Sequence, residues 1–182
     1  MRENDIYKLI RQLLVEIAPK RFPTPLGYQL SFQPTQEGRP STPTVFFAAI
    51  GNYRYGWMER TNKWDNDAGV MRLYENQPIE TTVQFSAYTG NSTDPDAPTP
   101  SDALAAICGV LQGEEFIAKA QAAGVAVLRV TEQKILPFQN ESNQWERMPT
   151  FDLVVKHVDY FVDQVLAITQ YEFKMLPVPA II

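Results

Sequence analysis

The amino-terminal segment has the hydrophobic spacing of an amphipathic α-helix. Between Asp5 and Ala18 the apolar residues recur at steps of three and four, which places them on one face of a helix. Glu3 and Asp5 lie where the helix dipole favours negative charge, and Pro19 is expected to end the helix. We predict a helix that packs on a sheet through Ile6, Leu9, Ile10, Leu13, Leu14 and Ile17.

The next segment, residues 19–44, is rich in proline, glycine, glutamine and serine. Six prolines interrupt it, and a connection of this length without regular structure is unusual inside a compact domain. We predict an extended arm or loop that contains one short strand around Tyr28–Phe32. Segments of this kind often serve an interface or another function.

A long β-hairpin is predicted after this arm. β-branched and aromatic residues indicate a strand at Thr44–Ile50. A polar turn follows at 61–69, and a second strand is expected at Val70–Tyr74. These pieces predict a hairpin with a solvated tip, and residues 51–69 are its most unusual part.

Further strands and a pair of helices complete the pattern. Thr99, Pro100 and Asp102 have the types and spacing of a capping box at a helix start, and Gly124 is expected to end the second helix. The remaining predictions are strands at 81–88 (after Pro78), 125–130, 134–138, 150–162 and 165–173, a turn at 140–143, and a second helix at Glu114–Ala123.

The predicted order is a helix, two or three strands, two helices and three strands. This order indicates an α+β fold. We expect an antiparallel-dominated sheet with the amino-terminal helix and the central helix pair on one face, plus a projecting long hairpin. The length suits one domain, so residues 1–182 are predicted to form a single domain with an arm at 19–44, a hairpin at 51–69 and an extended apolar tail at 176–182.

Charge and composition disfavour several function classes. The chain has 16 Lys and Arg against 21 Asp and Glu, a net charge of −5, which disfavours tight binding to nucleic-acid phosphates. Its single cysteine, Cys108, excludes an internal disulfide, and its single histidine, His157, leaves little for a zinc site. We interpret Cys108 as a small buried thiol and His157 as a structural or surface residue. No apolar run suggests a signal peptide or a membrane span, so we expect a soluble protein.

Catalytic and metal-binding patterns are weak. Asp65 and Asp67 could suggest calcium, but the sixth and twelfth residues of such a loop would be Val70 and Asn76, neither of which fits. Neither a phosphate-binding glycine motif nor a nucleophile elbow occurs in the sequence. We expect no enzyme, no catalytic residue, no bound metal and no cofactor. A hydrolase would need a pocket with two carboxylates of displaced pKa.

The segment 51–69 combines aromatic and cationic residues. These types are enriched at protein interfaces, and they also stack on single-stranded nucleic acid. The acidic charge balance favours the protein interface. Another reading is that Tyr53, Tyr55 and Trp57, which share one parity along a strand, line the core. The predicted interface residues are Tyr53, Arg54, Tyr55, Trp57, Arg60, Lys63 and Trp64, with Leu176, Val178, Ile181 and Ile182 from the tail.

The order of elements resembles that of the tail terminator, or neck, proteins of tailed phages. The resemblance covers most of the chain and rests on order and pattern, without an invariant chemical motif. The parts that carry it are the helix Ile6–Ile17, the strand region Pro40–Ile50, the aromatic hairpin at Tyr53–Trp57, the strand Thr81–Tyr88, the helix Ser101–Leu111, and the strands Gly124–Val130 and Phe151–Tyr160.

The resemblance implies a virion protein that forms a ring, typically a hexamer, on the head-proximal end of the tail tube. Such a ring stops tube polymerisation and offers a docking surface to the head connector. The implied partners are further copies of the chain, the tail tube protein and connector or neck proteins. DNA would pass through the lumen without specific binding, no membrane would be involved, and assembly would occur in the host cytoplasm. The alternatives are a head-completion or connector protein of the neck and a non-catalytic binding module that uses the aromatic hairpin.

Overall fold

Three helices and seven strands form the part of the chain that the computed structural model describes, which is residues 3–21, 29–32, 44–88, 99–139 and 145–165. This content confirms the predicted α+β class. The predicted turn at 140–143 and the tail at 176–182 lie outside the described residues, as does most of the arm at 19–44 and of the strand at 165–173. In chain order the elements are α1 (Glu3–Arg21), β1 (Gln29–Phe32), β2 (Thr44–Arg54), β3 (Glu59–Asp65), β4 (Val70–Tyr88), α2 (Pro100–Leu111), α3 (Glu114–Ala122), β5 (Ala126–Val130), β6 (Lys134–Gln139) and β7 (Trp145–Val165).

The strands form one sheet in the order β1-β2-β4-β7-β5, with β3 paired to β4 and β6 paired to β7. β1 runs parallel to β2, whereas the pairs β2–β4, β3–β4, β5–β7 and β6–β7 are antiparallel. The sheet is therefore dominated by antiparallel pairing, as predicted. β1 also confirms the short strand that was expected inside the proline-rich arm.

The core lies between the three helices and one face of the sheet. Phe47, Phe85 and Leu153 of the central strands are buried in one cluster with the apolar stripes of α1, α2 and α3. Phe85 stacks on Phe47 with ring centroids 5.3 Å apart and on Phe151 with centroids 5.0 Å apart, so an aromatic column links β2, β4 and β7. The helices thus share one face of the sheet, as the hydrophobic pattern predicts.

The prediction that Pro19 ends α1 is wrong, because the helix continues to Arg21. Pro19 lacks the N–H that would bond to the carbonyl of Val15. The cost of this missing hydrogen bond is small here, because Val15 lies on the solvent-exposed face of the helix. The last turn is held by Lys20, whose Nζ lies 2.8 Å from Glu115 of α3. Lys119 of α3 also contacts Glu16. These contacts between helices stabilise a turn that proline alone would weaken.

The start of α2 confirms the predicted capping box. The backbone N–H of Asp102 donates to the Thr99 hydroxyl at 3.2 Å, and the Asp102 carboxylate accepts the N–H of Thr99 at 3.1 Å. The second short helix is α3, and it ends before Gly124, whose φ of 81° suits glycine. Local sequence signals therefore account for both helix ends.

The long hairpin has two arms, one formed by β2 and β3 and the other by β4. Contrary to the predicted break before Pro78, β4 is continuous. β3 pairs with β4 up to Asn76, and β2 pairs with it from Ile79 onward, so Pro78 lies where the partner strand changes and its missing N–H costs little. The tip is also shorter than predicted, because the residues of β3 pair with β4 and only 66–69 remain as the turn. Four strands, rather than two or three, therefore precede α2.

The chain divides into two compact units. The first comprises Met1–Trp57 and Gln77–Asp159, and it holds the three helices and the core cluster. The second comprises Met58–Asn76 and Tyr160–Ile182. Its described part consists of β3, the first part of β4 and the end of β7. That the whole chain forms a single domain stays a prediction.

Candidate assembly interface

The predicted interface residues fall into three groups in the structure. Tyr53, Arg54, Tyr55 and Trp57 lie in the first unit, at the end of β2 and in the turn that follows it. Arg60, Lys63 and Trp64 lie on β3 in the second unit. Leu176, Val178, Ile181 and Ile182 lie outside the described residues.

Trp57 lies in an anchored turn with its side chain in solvent. Its exposed fraction is 97%, the largest among the exposed apolar side chains of the described residues. Gly56 adopts φ 56°, a left-handed conformation that glycine tolerates. The N–H of Tyr55 donates to the carbonyl of Pro78 at 3.1 Å, and buried Gln77 donates through Nε2 to the carbonyl of Tyr55 at 2.6 Å. A large aromatic presented by a fixed backbone is well suited to anchor a protein interface.

Tyr53 and Tyr55 extend this aromatic surface along β2. Their rings meet edge to face, with centroids 4.9 Å apart. Tyr53 is 63% exposed. The ring of Tyr55 has the Lys156 ammonium 5.4 Å from its centroid. A hydrogen bond to the Glu80 carboxylate raises the pKa of Tyr55, since it stabilises the protonated hydroxyl.

The reading in which these aromatics line the core is wrong. β2 is buried only over Thr44–Phe47, and from Ile50 to Arg54 its side chains are exposed. The register with β4 shifts between Ala49 and Gly51, which marks a β-bulge at the point where burial ends. The aromatic residues therefore follow the part of the strand that the helices bury.

Much of the positive charge on the second unit is paired within the hairpin. Arg60 Nε lies 2.8 Å from Glu75 Oε1, and Arg72 Nε lies 2.6 Å from Asp65 Oδ2. Lys63 lies above the ring of Tyr74 at 5.6 Å. These contacts leave little free positive charge on β3 and the first part of β4 for nucleic-acid phosphates, which favours the protein interface over single-strand binding there.

The acidic run at the tip has a local structural role. Asp65 Oδ1 accepts the N–H groups of Asp67 and Ala68 at 3.1 Å each, and the hydrogen bond from Arg72 lowers the pKa of Asp65. Gly69, with φ 63°, completes the turn by donating to the Asp65 carbonyl. Across the described ranges, no group of three metal-ligating side chains lies close enough to hold an ion.

His157 is a buried member of a polar row that crosses three strands. Its Nε2 lies 3.0 Å from Thr81 Oγ1, and that hydroxyl donates to Asn52 Oδ1 at 2.7 Å. Burial lowers the pKa of His157. The location supports the structural half of the sequence interpretation, since the side chain is only 4% exposed.

Cys108 packs against the core, although its side chain is only half-buried. Burial raises the pKa of its thiol, which keeps the sulfur protonated and weakly nucleophilic near neutral pH.

The outer face of α1 contributes Lys8, Arg11, Gln12, Val15 and Glu16 to a cavity of about 550 Å³. Among the described residues that line this cavity Glu16 is the only carboxylate, and a hydrogen bond from Lys119 lowers its pKa, so these residues do not supply the carboxylate pair that a hydrolase needs.

The end of β7 is a further exposed apolar segment, which was not predicted from the sequence. Residues 160–164 are all exposed, and three of them are large and apolar: Tyr160 at 66%, Phe161 at 44% and Val162 at 53%. A signal for this segment existed in the sequence. Three consecutive apolar residues cannot share one face of a strand, so at least one had to lie opposite the others.

None of the helices within the described residues is both long and apolar enough to span a membrane.

Comparisons with known proteins agree with the predicted resemblance. Residues 5–166 match a family described as E217 gateway protein gp29. No curated protein sequence matches the chain. Among solved structures, the chain is similar to the PVC sheath/tube terminator of an extracellular contractile injection system, determined in its extended state by cryo-EM. The TM-score is 0.51 at 13% identity, over 98% of this chain and 65% of that chain. At this identity the likeness shows a shared fold, and the chain spans less than two thirds of the terminator's length.

Proposed function

The chain belongs to the phage family described as E217 gateway protein gp29, in the tail terminator and neck class, and we propose that it forms a ring at the head-proximal end of the tail tube. In this proposal the ring stops tube polymerisation and presents a docking surface to the head connector. The observation that carries the proposal is the family match over residues 5–166. The terminator fold supports it as well.

The surface of the chain is consistent with a ring. Rings form when one patch of a subunit meets a different patch of its neighbour, and the aromatic turn at Trp57 supplies such a patch. The net charge of −5 suits a conduit through which DNA passes without adhering. The proposed partners are therefore other copies in a hexameric ring, the tail tube protein and the head connector.

We further propose that the chain works without catalysis or a cofactor. The family relationship indicates a virion component of the tail or neck. The proposed place of assembly is the host cytoplasm.

Electron microscopy and mass photometry of the purified chain test the ring. The wild-type protein should form closed rings with a central hole. Trp57→Ala should weaken association by about tenfold or more, since truncation of a buried interface tryptophan costs roughly 2 kcal/mol or more, while the unfolding midpoint stays the same. Leu128→Ala, which removes another exposed apolar side chain, should leave the rings intact. A wild-type protein that stays monomeric, both alone and on purified tail tubes, would refute the ring.

The position in the particle separates a terminator from a head-side connector. Gold-labelled protein in assembled particles should lie at the end of the tail tube. A label found on the head vertex of tailless heads would instead support the head-completion alternative.

A further inference from the structure

The outer edge of β2 loses its partner strand halfway along. β1 pairs with β2 only over Thr44–Phe47. Two residues further on, the N–H of Ala49 donates to the hydroxyl of Tyr7 at 2.6 Å. At this position a side chain of α1, and not a neighbouring strand, therefore accepts the hydrogen bond from β2. From Gly51 to Arg54, β4 occupies one edge of β2, and no strand of the described residues occupies the other.

β7 carries a second bare edge. β6 pairs with residues 145–150 of β7, and β5 pairs with residues 153–156. Beyond Lys156 neither strand continues, so along Tyr160–Gln164 the edge of β7 that faces away from β4 has no partner among the strands described. Both faces of this segment are exposed as well.

An unpaired, apolar strand end of this kind is expected to be paired with or shielded by another segment in the assembled protein. Natural proteins protect bare edges with proline, lysine or a covering loop, because unpaired backbone groups beside apolar side chains promote uncontrolled association. The segment Tyr160–Gln164 contains neither proline nor lysine, and three of its residues are large and apolar. An exposed apolar patch of this kind marks an interaction site.

The two bare edges are complementary in charge and in side-chain type. Arg54 on β2 is exposed and has no ion-pair partner in the described part of the chain. Asp163 on β7 is exposed too, and its only contact there is with the following N–H, that of Gln164. Ile50 and Tyr53 on β2 offer apolar surface to match the aromatic residues of β7. Because one chain carries both edges, the natural occupant of each is a second copy of the chain.

We propose that the segment Tyr160–Gln164 of one copy adds as a strand to the β2 edge Gly51–Arg54 of the next copy. Backbone hydrogen bonds would join the two sheets edge to edge, and the charges of Asp163 and Arg54 would favour this pairing over pairing of like edges. The contact joins two different surfaces, which is the kind of contact that builds a ring when its rotation closes. This inference rests on the proposed ring and identifies the surfaces that build it.

Directed cross-linking tests the contact. In a Cys108→Ser background, which removes the single native thiol, Tyr53→Cys combined with Val162→Cys should give a ladder of covalent multimers with a short bifunctional maleimide. A flexible cross-linker is preferable to a disulfide. A disulfide forms only between closely spaced cysteines and so depends on the exact pairing register between copies, whereas the linker reacts over a range of distances. The matched control replaces Val162→Cys by Gln121→Cys, an exposed position on α3, and should give no ladder.

Charge reversal provides an independent readout. Arg54→Asp and Asp163→Arg should each weaken self-association about tenfold, because like charges then face each other. The double variant should restore association to near the wild-type level. Glu132→Arg, a reversal at another exposed position, should have little effect.

The results separate this inference from the proposed function. A ladder together with rescue in the double variant supports the edge contact. Rings that form without the ladder or without the rescue overturn the edge contact but leave the ring proposal standing. A chain that stays monomeric at high concentration and on tail tubes overturns both.

Discussion

At the scale of single residues, the imidazole of His157 is buried in a position that disfavours its protonated form. Thr81 donates its hydroxyl proton to Asn52, so the same oxygen accepts from His157 and the imidazole proton is assigned to Nε2. Nδ1 is then an acceptor, and it is buried without a hydrogen-bond partner among the described residues. Protonation would place a charged donor there without an acceptor, which explains why the neutral form is favoured.

This position predicts a pH-dependent stability. The pKa of His157 in the folded chain lies below 6.5, its value in the unfolded chain, chiefly because of burial. As the pH falls below 6.5, the unfolded state binds a proton that the folded state does not, so the unfolding free energy falls until the folded pKa is reached. Urea unfolding of wild type and of His157→Gln, at a series of pH values from neutral to mildly acidic, should show this loss in the wild type alone.

The control for His157 is Thr81→Ser, which keeps the hydroxyl and should retain the pH dependence. An equal slope of stability against pH in wild type and His157→Gln would contradict the assigned role. The comparison isolates this one residue, because it is the only histidine in the chain.

At the scale of elements, helix ends are set by local contacts. The capping box of α2 satisfies two backbone groups within four residues of sequence, since Thr99 and Asp102 each accept from the backbone of the other. Because these bonds involve neighbours in sequence, they form wherever the helix forms. α2 contributes Leu104, Ile107 and Leu111 to the core, so the stability of its first turn affects the packing of the whole domain.

The capping residue gives a direct measure of this contribution. Thr99→Ala should lower the unfolding free energy by about 1 kcal/mol, because the N–H of Asp102 loses its acceptor. Thr99→Ser keeps the oxygen and should lose only a few tenths of that value. Chemical denaturation with far-UV circular dichroism distinguishes the two variants. Equal stability of Thr99→Ala and wild type would show that water replaces the cap without cost.

At the scale of the whole molecule, aromatic stacking connects the central strands. Phe47, Phe85 and Phe151 come from three strands that are far apart in sequence, and they stack at centroid distances of 5.3 and 5.0 Å. Phe85 is fully buried between the other two rings. This column lies under the helices and joins three strands of the first unit in one hydrophobic core.

The column predicts a contrast between two phenylalanines. Phe85→Ala should lower the unfolding free energy by roughly 3–5 kcal/mol, because it leaves a cavity between two rings. Phe161→Ala, at an exposed position, should change it by less than about 0.5 kcal/mol. Urea denaturation of the purified variants measures both. A loss of similar size in the two variants, measured at concentrations where the chain is monomeric, would mean that Phe161 is buried within its own subunit.

Local patterns account for much of the fold. The three- and four-residue spacing of α1, the capping box at Thr99 and the glycine at position 124 each act over a few neighbours, and each was predicted correctly. The candidate interface was only partly predictable. Its aromatic composition was visible at Tyr53 and Trp57, but the exposed end of β7 was overlooked because an alternating strand was expected to continue there.

The sequence by itself determined the helices, most of the strands, the α+β class and the family resemblance, because periodicity and capping are encoded between near neighbours. Only the tertiary structure decided that β4 runs through Pro78, that His157 is buried and that Trp57 lies in solvent. These outcomes depend on which strand lies beside which and on where the helices stop covering the sheet. Contacts between residues distant along the chain set them, and local patterns carry no record of those contacts.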